Sequence, residues 1–169
     1  EKIIQQDENI TSIDKMMTRG KLNGFKEDSL KDLAIFFSDA GAILNFRDRF
    51  ELLGEDRLAE KDNVVMKPQW LLKKIAAFIF DGKVHKKKCK ALPKEGQYRK
   101  LKMLYRNYGI LSKKFLVKLL KTYENCTKEE IAFILTIATE MLIMAFLPKL
   151  PAKVPKIDVK EVDFYIVPS

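Results

Sequence analysis

Cysteine, histidine, glycine and proline are all sparse in this chain, and each scarcity removes a class of protein. Two cysteines, Cys89 and Cys126, lie far apart in sequence without a Cys-x-x-Cys spacing. They read as free thiols in a reducing compartment, not as a disulfide framework. His85 is the single histidine, so a zinc site lacks ligands. It also stands among lysines, which keeps it solvated and without the orienting partner that a general base needs. Seven glycines and six prolines in 169 residues argue against an all-β chain built on many tight turns. Arginine is scarce beside lysine, which weakens bidentate recognition of phosphate or guanine. No apolar run is long enough to cross a bilayer.

Reactive motifs are missing too. The phosphate-loop pattern (GxxxxGKS or GxxxxGKT) is absent, so these residues cannot cradle a nucleoside triphosphate by themselves. The GxGxxG, HExxH and GxSxG patterns are absent as well. Paired acids occur at Glu129–Glu130 and Glu55–Asp56, at a helix start and in a loop where acids are expected anyway. No catalytic, cofactor-binding or metal-ligating residue is therefore expected here.

What is present is a soluble composition, 47% hydrophobic and 33% charged. Folding at this length buries roughly two-thirds of the unfolded chain's surface, enough for a core without cross-links. The balance of 32 Lys plus Arg against 23 Asp plus Glu gives +9. That charge permits nucleic acid, an anionic membrane or an acidic partner and selects none of them. The chain opens on Glu1 and stops at Ser169 after an apolar run. It reads as a piece of a longer intracellular, cytoplasmic protein.

Periodicity and punctuation give the elements. Thr11 and Ser12 precede Ile13, Met16 and Met17, an N-capped short helix that Gly20 and Asn23-Gly24 are expected to stop. A second helix starts near Glu27 with Leu30, Leu33, Ala34 and Phe37 on one face, and Gly41 closes it. Ala42 to Phe46 and Val64 to Met66 suit two short strands, paired as a hairpin across a charged loop. Pro68 fits the first turn of the next helix. Trp70, Leu71, Ile75, Phe78 and Ile79 mark its buried side, and Lys73 and Lys74 its solvent side.

Residues 83 to 94 carry Lys83, Lys86, Lys87, Lys88, Lys90 and Lys94 without an acid, a solvated linker or basic interaction segment. Beyond it, a short helix ends at Asn107-Tyr108-Gly109. Ser112 caps a helix with Phe115, Leu116, Leu119, Leu120 and Tyr123 inside, and Thr127 with Glu130 forms a capping box for another. Leu142 to Leu147 and Phe164 to Val167 read as a second strand pair, joined through Pro148, Pro151 and Pro155. Helix, helix, strand pair thus occurs twice. The expected fold is mostly helical α+β, with tandem winged-helix-like units and short β-hairpins. A lead-in covers 1–11, the first unit 12–82, the lysine-rich linker 83–98 and the second unit 99–169.

Four motifs in order carry a family resemblance. They are the run from Leu33 through Gly41 to Phe46, then Val64-Val65-Met66-Lys67-Pro68-Gln69-Trp70-Leu71, then Gly109-Ile110-Leu111-Ser112, and finally Tyr165-Ile166-Val167-Pro168-Ser169. Together they resemble the first half of the COR region of Roco proteins, the family that includes leucine-rich-repeat kinases. The likeness spans Thr11 to Ser169, and the lysine-rich stretch and the long proline-rich loop depart from the family pattern. Its motif residues Gly41, Phe46, Pro68 and Trp70 look like fold determinants, with Trp70 in the core.

The resemblance implies a non-catalytic regulatory module that packs on an upstream Roc GTPase domain and couples its nucleotide state to the rest of the parent. It implies a second COR half downstream, a possible homodimer of the parent, and GTP or GDP with magnesium bound outside this chain. Val64, Val65, Met66 and Gln69 are the expected Roc-facing surface. Two alternatives are a winged-helix nucleic-acid binder and a basic module for a membrane surface or acidic partner. The first is opposed by acids on the presumed second helices, Glu27, Asp28 and Asp32 in one, Glu129, Glu130 and Glu140 in the other.

Overall fold

A computed structural model of the chain describes residues 8–46, 63–79, 97–152, 154 and 163–167. The chain divides into two units, 1–72 and 73–169. Unit 1 runs β1 (Ile10–Ser12), α1 (Ile13–Leu22), α2 (Glu27–Asp39), β2 (Leu44–Asn45) and β3 (Asn63–Val65). Helix α3 (Pro68–Ala76) carries the division between the units, upstream of the lysine-rich segment. Unit 2 continues with α4 (Gln97–Tyr108), β4 (Ile110–Ser112), α5 (Lys113–Tyr123), α6 (Lys128–Glu140), β5 (Ala145–Leu147) and β6 (Phe164–Ile166). This is a mostly helical α+β chain with short antiparallel sheets, the fold class that the sequence suggests.

Each hairpin gains a third strand that periodicity did not reveal. The sheet orders are β1-β3-β2 and β4-β6-β5, antiparallel throughout. Ile10 stands opposite Val65, and Ile110 opposite Ile166. Both added strands are three residues long, too short for an alternation signal. A serine ends each and caps the next helix: Lys15 N–H donates to Ser12 Oγ at 3.2 Å, and Phe115 N–H to Ser112 Oγ at 3.1 Å. Just before the strands, Met66 N–H donates to the Asn9 carbonyl and Val167 N–H to the Gly109 carbonyl, both at 2.9 Å. The two units therefore repeat in hydrogen bonding as well as in order of elements.

Helix ends follow the same rule. Gly24 (φ 87°), Gly41 (φ 68°) and Leu142 (φ 54°) occupy the left-handed position just past α1, α2 and α6. The next N–H then reaches back five residues, from Phe25 to the Gly20 carbonyl, Ala42 to Phe37 and Ile143 to Ala138. Gly20, expected to stop α1, instead lies buried inside it. A Cβ there would stand 2.3 Å from Leu30 Cδ2. Its absence lets α2 approach α1 closely.

Burial is uneven. In unit 2 Leu101, Leu104, Tyr105, Phe115, Leu116, Leu119 and Leu120 are all buried. The Tyr105 ring lies 5.8 Å from that of Phe115, and its hydroxyl donates to the Phe78 carbonyl at 2.8 Å. Tyr105 thus buries a ring while keeping its polar tip bonded. In unit 1, α2 buries Leu30 alone. Helix α3 also departs from the amphipathic expectation. Leu71, Ile75 and Phe78 are buried, but Trp70 is only half-buried and Ile79 is exposed. Lys74, assigned to the solvent side, is buried.

Candidate interaction groove on unit 1

The four residues expected to form the surface divide between core and exterior. Val64 and Val65 are fully buried. They belong to β3, the middle strand, which β1 and β2 flank on both edges. Met66 is half-buried and Gln69 exposed. Lys83, Lys86, Lys87, Lys88, Lys90 and Lys94 lie outside the described residues. Of the motif residues, Gly41 closes α2, Phe46 is buried and Pro68 opens α3.

An open apolar surface lies instead between α1 and α2. A groove of about 400 Å³ is lined by Met16, Met17 and Gly20 from α1, by Leu30, Leu33 and Phe37 from α2, and by Met66. Beside it Phe36 is 64% exposed. Leu33, Phe36 and Phe37 recur at helical spacing and form one stripe. The matching stripe in α6 is Ile134, Ile137 and Ala138, all buried. The same helix is thus closed over in unit 2 and open in unit 1. Sequence periodicity marks this face as core, and nothing in a single sequence says in which repeat its side chains are exposed.

Charge frames the groove on both sides. On α1, Arg19 and Lys15 hold Glu8, at 3.0 Å from Arg19 Nη1 and 2.7 Å from Lys15 Nζ. Hydrogen bonds from Arg19, then from Lys15, lower the Glu8 pKa to about 2. A lowered carboxyl pKa makes the ion pair's contribution complete above the ordinary value of 4.5, and that contribution disappears as pH falls through about 2. A carboxyl carbon NMR titration should therefore give Glu8 a midpoint near 2. An ordinary carboxylate midpoint would show that the cluster does not form. On α2, the exposed acids Asp28, Asp32 and Asp39 run beside Phe36. Such a helix repels nucleic-acid phosphates.

Nothing among the described residues assembles a reactive centre. No group of three or more His, Cys, Asp or Glu side chains is placed to hold a metal ion. Burial, the largest cause, pushes the Cys126 thiol up to about 11, which leaves it protonated and unreactive at neutral pH. No helix is long and apolar enough to cross a membrane.

Comparison with known proteins gives one match. A family model described as "C-terminal of Roc, COR-A domain" matches residues 1–169. No curated protein and no solved structure matches the chain.

Proposed function

Because this chain belongs to the COR-A family, the domain C-terminal of Roc, we propose that it is a non-catalytic module that packs on a Roc GTPase domain and responds to its nucleotide state. The family match along the whole chain carries this reading. The open apolar groove of unit 1 supports it, since a docking module needs an apolar patch with a polar rim and no reactive site. The strand–helix–helix–hairpin connectivity repeated in both units suits winged-helix-like modules used for protein contacts. GTP or GDP with magnesium belongs to the Roc domain on this reading, and the module works inside the cell beside a second COR half.

Coupling requires that the two nucleotide states of Roc bind this module with different affinity, for a partner that binds both equally shifts neither. Calorimetric titration of the purified chain with the parent's Roc domain, loaded with GDP or a non-hydrolysable GTP analogue, tests it. The expected result is binding whose affinity differs between the two loads. Equal affinities, or no binding with either, would overturn the proposal.

A further inference from the structure

Beyond the reading above, we infer that the solvent faces of α4 and α5 in unit 2 dock on an anionic membrane surface. The chain's positive charge is confined to one unit. Residues 73–169 hold 21 Lys plus Arg against nine Asp plus Glu, whereas residues 1–72 hold 11 against 14. Within unit 2, the stretch from Gly96 to Tyr123 has eight cations and no acid. That stretch is α4, β4 and α5. Leu101, Leu104 and Tyr105 of the first helix and Phe115, Leu116 and Leu119 of the second point into the core. None of the eight cations is buried.

The pattern on each helix selects the partner. Met103 is 53% exposed, and exposed Arg99, Lys100 and Arg106 stand one turn to either side of it. Half-buried Val117 has the same setting, with Lys113, Lys114 and Lys121 around it. Lys113 also pairs with Asp163 at 3.2 Å, at an exposed site. An apolar side chain ringed by cations suits a lipid interface. The cations meet the headgroup phosphates and the apolar group enters below them. Nucleic acid offers phosphates without that apolar layer. It is also read by the second helix of a helix-turn-helix pair, and α6 opens on Glu129 and Glu130 and buries Ile131, Phe133 and Ile134. A peptide partner would need a groove or a sheet edge, and these are convex helix faces.

Vesicle sedimentation of chain 1–169 tests the surface. Phosphatidylcholine vesicles containing phosphatidylserine should bind the chain, and pure phosphatidylcholine should not. Each cation near an anionic surface is worth about fivefold in affinity. The variant Arg99→Gln, Arg106→Gln, Lys118→Gln, Lys121→Gln should therefore bind at least about a hundredfold more weakly, with its unfolding transition unchanged. Raising the salt to about 1 M should release the wild-type chain as well. Position is read separately, in a Cys89→Ser background. An environment-sensitive fluorophore on Met103→Cys should shift to the blue on the vesicles. The same label on Leu22→Cys, a residue of unit 1 that is 82% exposed, should not shift. Equal binding to neutral vesicles overturns the inference, and so does an unshifted label at Met103→Cys. Full binding by the fourfold variant also overturns it, whether the lysines of residues 83–94 or another surface then carries the affinity. Tighter binding to duplex DNA than to vesicles, lost in the same variant, would reassign the surface to nucleic acid and overturn it too.

Discussion

Gly109→Ala should destabilise unit 2 by about 3 kcal/mol or more, well beyond an ordinary glycine replacement. Two costs combine there. Gly109 sits at φ 66°, in the left-handed region, where a side chain costs about 1–2 kcal/mol. Its missing Cβ also faces the Val167 carbonyl oxygen, 2.7 Å from where a methyl would stand. That oxygen belongs to backbone, and the Val167 N–H already donates to the Gly109 carbonyl at 2.9 Å. Neither strand end can move away without breaking the pairing of β4 with β6. Gly24→Ala is the control, for Gly24 has φ 87° and nothing within 4 Å of its Cβ position. It should lose only the conformational part, about 1 kcal/mol. Denaturant titrations of both variants separate the two costs. Equal losses would show that the Val167 contact relaxes freely.

The same glycine shows what a sequence discloses and what it hides. Gly109-Ile110-Leu111-Ser112 was legible as a motif, with glycine before a capped helix. That Ile110 to Ser112 also form a strand could not be read from three residues, since a strand that short exists only through its partner β6. Helix caps were legible because their chemistry is local: Thr127 with Glu130 forms a capping box in the structure. Gly20 was misread for the opposite reason. Its role is set by Leu30, ten positions on, which no local pattern reports.

The groove was half legible. Leu30, Leu33, Ala34 and Phe37 recur at helical spacing and point to a packed face, which unit 2 confirms for its own copy. Exposure depends on what lies opposite, and a single sequence carries no statement of that. The resemblance puts Val64 and Val65 on a partner-facing surface, and their residue types do not speak against it, since apolar β-branched residues suit an edge strand and a central strand equally well. Only the sheet order places them in the middle.

Lys74→Met should cost about 3 kcal/mol, although periodicity puts this lysine on a solvent face. Its ammonium donates to the Glu124 carbonyl at 2.5 Å and to Glu124 Oε2 at 3.3 Å, with both residues buried. It thereby ties the end of α3 to the turn between α5 and α6, all within unit 2. Removing the ammonium leaves a carboxylate desolvated without that charge, which is the expensive way to break a buried pair. Methionine keeps most of the side-chain volume, so lost packing contributes little. Lys74→Met with Glu124→Gln should recover part of the loss, because the second change removes the buried carboxylate's charge. Denaturation of the two variants decides between the readings. A single variant within about 0.5 kcal/mol of wild type would mean that water reaches the pair, as at a surface site.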